Sequence, residues 1–326
     1  MEESIFVNND EIKKVVYDNY GIDINNVEYI DRGSSNIYNL DNKYILKEFE
    51  SKHNKDTVLK EVNIINHLKK KDIPTPTYIK TNDNKYYFEY KNKVIIIQEY
   101  IDGYTIEPNN GNYKQVIESA IYLGKIVKAL EDYPYELQKW HKEIDLAKAI
   151  INQKELLSLT NDKDSKIRKD LKDRINMIEE LSKTNIQDNF NNFTYKNTHG
   201  DYSVMQFIYK DEKVNAVIDF LSACTMPIVW EVIRSYSYID KDFNIDTFID
   251  YVKEFSKYVK LNKYDLKYMP YYYLVQILTS TYGYKQYLNN RKELDLLNFG
   301  YFRTELCRYL YKNAKEISDR LMEESL

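Results

Sequence analysis

The chain has 326 residues, of which 43% are hydrophobic and 30% are charged, and its net charge at neutral pH is −4. This length exceeds the size at which a single hydrophobic core usually stops growing, which predicts two lobes or domains. The slightly negative charge gives no general attraction to polyanions and argues against nucleic acid as a partner.

The sequence shows no signal for a membrane or for export. It has no uninterrupted apolar stretch of about 18 residues, and its start, MEESIFVNND, lacks the basic and apolar regions of a secretory signal. The two cysteines, Cys224 and Cys307, cannot form a disulfide framework. We therefore expect a soluble, cytoplasmic protein without a membrane partner, and the oligomeric state is left open.

The first part of the chain alternates short β-type runs with one helix. VEYIDR, SNIYNL and KYILKEFE predict three strands, with a turn at residues 32–35 between the first two. A helix is expected to follow, capped near Asp56 or Thr57, and Pro74 and Pro76 end it. TYIKT, KYYFEY and KVIIIQEY predict three more strands. One face of the helix carries residues at three- and four-residue spacing: Val58, Glu61, Val62, Ile65 and Leu68.

From about Asn112 onward, helical periodicity dominates. Residues 144–159 and 167–181 predict two helices, and FIY and NAVIDF predict a short β-hairpin. PIVWEVIRSYSYI and the rest of the chain predict further helices. An earlier helix is marked by Val116, Ala120, Leu123, Val127 and Leu130. These patterns predict an α+β fold in which residues 1–100 form a small antiparallel sheet with one helix and residues 101–326 form a larger, mostly helical lobe.

Two charged residues occupy positions where apolar side chains are expected. In the strand KYILKEFE, Lys47 shares its face with Ile45 and Phe49, and Glu61 lies on the apolar face of the following helix. A buried ammonium is costly unless it is paired. The two positions therefore predict that Lys47 and Glu61 contact each other, although an exposed ion pair would also account for them.

A second group of residues surrounds the predicted hairpin. His199, Gly200 and Asp201 precede Gln206, and Asp219 lies in the apolar run AVIDFL. Asp201 is placed to receive or orient a substrate hydroxyl, and Gln206 to offer its amide oxygen to a metal. A carboxylate in an apolar run needs a bound Mg²⁺ or a hydrogen-bonded network, and backbone amides alone are the alternative for Asp219. We interpret His199 as a structural brace for a tight loop.

In this order, these motifs resemble the aminoglycoside phosphotransferase and choline-kinase-like family, which has a bilobal protein-kinase-like fold. The resemblance covers residues 27–240 and includes the turn G-S-S-N, Q-E-Y-I-D-G, H-G-D-x-x-x-x-Q and I-D-F. It implies that Asp201 is the catalytic residue and that Gln206 and Asp219 bind Mg²⁺. It further implies that Glu231 braces the catalytic loop. The residues implied to bind the nucleotide are Lys47, its partner Glu61, Gly33, Ser34, Ser35 and the hinge Glu99, Tyr100 and Ile101.

The implied function is transfer of the γ-phosphoryl group of ATP, with GTP not excluded, to a hydroxyl of a small molecule. Aminoglycosides, amino alcohols and sugar-like acceptors all remain open. The family usually has Asn where this chain has Gln206. Gln reaches one methylene further, so a catalytically silent, nucleotide-binding protein is the alternative. The tyrosines between Tyr271 and Tyr284 either line an acceptor pocket or pack between helices.

Overall fold

The structure is a computed structural model that describes residues 2–31, 35–140, 144–240 and 242–324. Helices and strands alternate at first and helices prevail later. In chain order they are α1 Asn9–Tyr20, β1 Val27–Ile30, β2 Asn36–Leu40, β3 Tyr44–Glu48, α2 Lys55–Lys69, β4 Phe88–Tyr90, β5 Lys93–Glu99, α3 Tyr113–Ala129, α4 Leu146–Ser158, α5 Ser165–Ser182, β6 Tyr195–Thr198, β7 Phe207–Lys210, β8 Lys213–Val217, β9 Cys224–Pro227, α6 Ile228–Ile239, α7 Ile245–Ser256, α8 Lys263–Thr279, α9 Tyr284–Asn289 and α10 Leu294–Glu323.

The chain divides into two compact units. The first comprises Met1–Gln138, Asn197–Cys224 and Tyr238–Asp242, and the second comprises Lys139–Lys196, Thr225–Ser237 and Phe243–Leu326. The division into two lobes, residues 1–100 and 101–326, stays a prediction.

The first unit contains a five-stranded antiparallel sheet in the order β1-β2-β3-β5-β4. Strand β3 is central, and Lys47 on it pairs with Ile37 of β2 and Ile96 of β5. A residue in the middle of a central strand is shielded from solvent by its neighbours on both sides. The predicted antiparallel sheet is therefore present, and it encloses the lysine on which the predicted site depends.

Helix α1 was not predicted from the sequence, which gave this region one helix only. Asn8 caps it, its side chain accepting a hydrogen bond from the Glu11 amide, and it ends at Gly21 in the left-handed conformation. Its apolar side chains join the core under β2, β3 and β5, and the members of α1 in that core are Ile12, Val15, Val16 and Tyr20. The spacing of these residues and the final glycine were readable signals of a helix.

Helix α2 lies where the sequence placed it, with its start shifted. Asn54, rather than Asp56 or Thr57, caps it, because the Asn54 side chain accepts a hydrogen bond from the Thr57 amide. The five residues of the predicted face are all buried. The predicted strand TYIKT is reduced to one bridge between Tyr78 and Gln98, and KYYFEY is a strand only at Phe88–Tyr90.

The predicted helices and hairpin are also present. The apolar stripe of α3 is buried, and α4, α5 and α6 occupy the expected segments. Strands β7 and β8 pair as the hairpin. Within the second unit, Tyr272, Tyr273 and Tyr284 are buried, which favours the packing interpretation of these tyrosines. Every helix among the described residues is too short or too polar to cross a lipid bilayer.

Candidate active site

The ammonium group of Lys47 is the centre of the candidate site. The lysine side chain is 13% exposed, and its Nζ lies 3.2 Å from Oδ1 of Asp219. Nζ also lies 4.8 Å from the centre of the Phe49 ring, on the same face of β3. Strand alternation thus places Lys47 in an apolar environment, where an aromatic face and a carboxylate stabilise its charge.

Glu61 does not pair with Lys47 in the way the sequence predicted. It is buried, and its Oε1 accepts a hydrogen bond of 2.9 Å from the backbone amide of Phe220. The direct ion pair of Lys47 is made by Asp219. Glu61 therefore acts on Lys47 through its charge, and through the Phe220 amide it also holds the segment that carries Asp219.

One cation and two carboxylates share this site, and their pKa values move in different directions. Burial disfavours the Lys47 ammonium, but the charges of Glu61 and Asp219 outweigh it, so the pKa of Lys47 is raised. The charge of Lys47 lowers the pKa of Asp219 against the opposing effect of burial. Burial raises the pKa of Glu61, although Lys47 opposes this. Asp219 is therefore the carboxylate that stays ionised most readily.

Asp219 has an unusual backbone conformation. It follows β8 with φ 66° and ψ 61°, in the left-handed region, and its side chain is 40% exposed. This conformation costs a residue with a Cβ roughly 1–2 kcal/mol. The contact with Lys47 and the hydrogen bond from the next amide to Glu61 maintain it. The strained backbone turns the carboxylate toward Lys47.

His199 connects the two parts of the sequence that carry the candidate acids. Its Nε2 lies 2.9 Å from the Ile218 carbonyl oxygen, and its Nδ1 accepts a hydrogen bond of 3.3 Å from the Asp201 amide. A carbonyl oxygen only accepts, so Nε2 is the donor in the first of these bonds and Nδ1 the acceptor in the second. The ring is buried and braces the backbone beside both Asp201 and Asp219, in agreement with the structural role expected for it.

Gly200 is required by the shape of the loop. Its φ is 83°, and a Cβ at this position would overlap the carbonyl group of Ser222. The loop therefore rests directly on the segment that follows Asp219. Any larger residue would separate the two segments or distort both.

Gln206 is buried, and its backbone is fixed on both sides. Its amide donates to the Ser203 carbonyl at 2.9 Å, and its carbonyl accepts from the Ile218 amide at 3.0 Å. The second bond places the two predicted metal ligands, Gln206 and Asp219, on adjacent backbone. One carboxylate and one amide oxygen, completed by nucleotide phosphates, match the way proteins bind Mg²⁺. The described residues contain no cluster of three His, Cys, Asp or Glu side chains suited to a metal.

The other residues implied to bind the nucleotide belong to the turn before β2 and to the hinge at the end of β5. Gly33 and Ser34 lie outside the described residues, and Ser35 is buried next to the start of β2. In the predicted hinge, the amides of Glu99 and Tyr100 donate to the carbonyls of Thr77 and Lys43. These two amides are therefore committed to the fold.

Glu231 belongs to the second unit, where it is buried in α6. The bracing role that the resemblance implies for it stays a prediction.

Two buried residues of the site were not found from the sequence. Phe49 supports the Lys47 ammonium. The Tyr78 hydroxyl interacts with Glu61, and burial together with the charge of Glu61 raises the pKa of this hydroxyl well above its usual value. Phe49 lies on the lysine face of its strand, where the sequence pattern indicates only an apolar neighbour. No sequence pattern indicates a role for Tyr78 in the site. The segment around it forms one isolated bridge instead of the predicted strand.

Comparison with known proteins identifies the family. A model described as the phosphotransferase enzyme family matches residues 26–262, which is more than half of the chain. The chain belongs to the phosphotransferase enzyme family. Among the curated proteins, no match was found.

Several solved structures of kinases and phosphotransferases have the same fold as this chain. An amicoumacin kinase in complex with AMP-PNP, Ca²⁺ and Ami is 14% identical, with a TM-score of 0.59 over 97% of this chain and 94% of the other. A spectinomycin phosphotransferase with ADP and spectinomycin is 15% identical, with a TM-score of 0.62 over 96% and 98%. A microcompartment-associated aminopropanol kinase is 12% identical, with a TM-score of 0.63 over 94% and 99%. The likeness confirms the predicted α+β, protein-kinase-like fold.

In this phosphotransferase, Gly200→Ala is expected to destabilise the fold strongly. Backbone strain and the overlap with Ser222 together should cost about 3 kcal/mol or more in the free energy of unfolding, measured by urea denaturation. Gly21→Ala is the matched control: its φ of 65° is also left-handed, but its nearest neighbour is 3.5 Å away. That variant should lose about 1 kcal/mol. Equal losses in the two variants would contradict the tight contact at Gly200.

Glu61→Gln is expected to make stability less dependent on pH. The pKa of Glu61 is raised in the folded protein, so its contribution to stability is complete below its ordinary value of 4.5 and is lost as pH rises through the folded value. Glutamine keeps an oxygen for the Phe220 amide and does not titrate. The melting temperature of Glu61→Gln relative to the unsubstituted protein should therefore rise between about pH 4.5 and pH 7. A difference that is constant or falls over this range would show that the Glu61 pKa is not raised.

Proposed function

We propose that this protein is an ATP-dependent kinase that transfers a phosphoryl group to a hydroxyl of a small molecule. The observation that carries the proposal is the buried Lys47 ammonium, held by Asp219 and by the charge of Glu61. Its raised pKa keeps the cation charged at neutral pH, which is what binding of nucleotide phosphates requires. GTP in place of ATP is not excluded by the residues present.

Each of the site residues has a role in this proposal. Lys47 binds nucleotide phosphates and Glu61 maintains its charge. Asp201 receives or orients the acceptor hydroxyl, and the His199 ring fixes the Asp201 backbone. Phosphoryl transfer depends mainly on positioning and electrostatic stabilisation rather than on covalent chemistry by the protein. The carboxylates of Asp201 and Asp219, carried on a backbone held by hydrogen bonds, and the charged Lys47 ammonium would meet that requirement.

Gln206 and Asp219 would hold Mg²⁺. When bound, this ion neutralises charge on the nucleotide phosphates. Asp219 suits the role because its pKa is lowered and its side chain is partly exposed. The backbone of Gln206 is fixed independently of its side chain, so the reach of the amide oxygen decides whether it binds the ion.

The acceptor belongs to one of three chemical classes: aminoglycosides, amino alcohols or sugar-like compounds. The similar structures include a spectinomycin phosphotransferase and an aminopropanol kinase, which act on different acceptors. Sequence identities of 15% and 12% do not carry either acceptor over to this chain. A screen should therefore include all three classes.

Asp201→Ala is expected to abolish transfer and to leave nucleotide affinity nearly unchanged. Loss of a positioned acid or base lowers kcat by about 10²–10⁴-fold. Lys47, the proposed ligand of the nucleotide phosphates, is retained in this variant. ADP formation with an acceptor panel measures transfer, and calorimetry measures nucleotide binding. Asp83→Ala, at an exposed position of the same unit, is the control. Full activity of Asp201→Ala would rule out the proposed role.

Gln206→Ala is expected to raise the Mg²⁺ concentration required for half-maximal nucleotide binding by about tenfold or more. Gln206→Asn should bind Mg²⁺ better than Gln206→Ala, because it keeps the amide oxygen. Met205→Ala, at the exposed neighbouring residue, is the control. Unchanged metal dependence in Gln206→Ala would remove Gln206 from the metal site. If the unsubstituted protein binds nucleotide without metal dependence and turns over no acceptor, the silent-binder alternative is correct.

A further inference from the structure

The turn that follows Asp219 is held at both of its ends by α2. We call residues 220–223, which include the short 3₁₀ helix Phe220–Ser222, the post-acid turn. At its start, the Phe220 amide donates to Glu61 at 2.9 Å. At its end, Nζ of Lys60 donates to the Ala223 carbonyl at 2.6 Å and lies 3.5 Å from the Leu221 carbonyl. Two consecutive residues of one helix thus bind opposite ends of one turn.

Lys60 is an unusual residue for this position. It is partly buried, and burial lowers the pKa of its ammonium group. Its hydrogen bonds in this structure go to neutral carbonyl oxygens, which compensate a buried charge less well than a carboxylate does. A lysine on the α2 surface that only needed solvent could extend away from the turn. The side chain instead reaches the carbonyls that end the post-acid turn.

The post-acid turn is also the surface on which the candidate catalytic loop rests. The Ser222 carbonyl occupies the space that a side chain at position 200 would need. The Phe220 ring lies 4.4 Å from the His199 ring, measured between centres. Asp219 directly precedes the turn and Asp201 directly follows Gly200. A displacement of the turn would therefore move both candidate acids.

We propose that Lys60 is a positioning residue for phosphoryl transfer, which fixes the end of the post-acid turn and thereby the placement of Asp219 and Asp201. This inference rests on the proposed kinase function. The role differs from that of Glu61, which binds the start of the turn and also acts on Lys47 by its charge. The hydrogen bonds of Lys60 go to backbone carbonyls, and its charge also interacts with that of Glu61. Its removal leaves the ion pair between Lys47 and Asp219 in place.

The test compares Lys60→Met with Lys60→Arg in the full chain. Methionine keeps an unbranched apolar stem and removes the donors, so kcat for transfer to the best acceptor of the panel should fall about 10- to 100-fold, as expected for misplaced reacting groups. The KM for the nucleotide should change far less, because Lys47 is retained. Arginine keeps a cation with several donors and should recover most of the lost kcat. Lys55→Met, at an exposed position on the same helix, should behave like the unsubstituted protein.

The outcomes separate this inference from the proposed function. If the unsubstituted protein transfers no phosphoryl group, the proposed function fails and the inference fails with it. If it transfers and Lys60→Met has the same kcat, the inference alone is overturned. A loss that matches the unfolded fraction by circular dichroism, without recovery in Lys60→Arg, would show a purely structural role. Should Lys60→Met not fold, Lys60→Leu, which also lacks a donor, replaces it, and a kcat equal to that of Lys60→Arg would overturn the inference.

Discussion

The structure of the first unit depends on the cost of enclosing the Lys47 ammonium in a sheet. The lysine lies on the central strand β3, with β2 and β5 on either side, and its ring neighbour Phe49 is fully buried. A buried charge requires an opposite charge to compensate it. Asp219 compensates Lys47 through a direct ion pair, and Glu61 does so through the electrostatic effect of its carboxylate. One constraint therefore brings together three segments that are far apart in the sequence: strand β3, helix α2 and the residues after β8.

The ion pair between Asp219 and Lys47 requires a strained backbone at Asp219, and neighbouring hydrogen bonds offset this strain. Asp219 adopts a left-handed backbone to reach Lys47, and the post-acid turn continues from this strained residue. Lys60 and Glu61 hold the ends of the turn, and His199 holds the carbonyl of Ile218 just before it. Strain at a site of this kind persists only where the surroundings determine the backbone on all sides. The same contacts that maintain the strain also set the positions of the candidate acids.

The sequence was sufficient to predict most helices and strands and to single out the buried residues Lys47 and Glu61, and it was insufficient to predict their contacts. Lys47 and Glu61 were recognisable because each is a charged residue on an apolar face, and the periodicity of strand and helix fixes those faces. Which carboxylate contacts Lys47 depends on the left-handed backbone of Asp219, a conformation that residue preferences disfavour. The strand expected at TYIKT is a single bridge, because contacts to β5 rather than local preference decide its extent. Helix α1, absent from the sequence prediction, has an ordinary helical pattern bounded by Asn8 and Gly21.

Position 206, where the resemblance to the phosphotransferases leads one to expect Asn, carries a Gln that is fixed through its backbone. The backbone of Gln206 is held by Ser203 and Ile218, and neither bond involves its side chain. The Asp201 backbone is held separately, through His199. A longer amide side chain can therefore be accommodated without moving either candidate acid, and its effect is confined to the position of one oxygen atom. The buried Lys47 and the left-handed Asp219 are each costly to the fold, and the proposed phosphoryl transfer gives both residues a function.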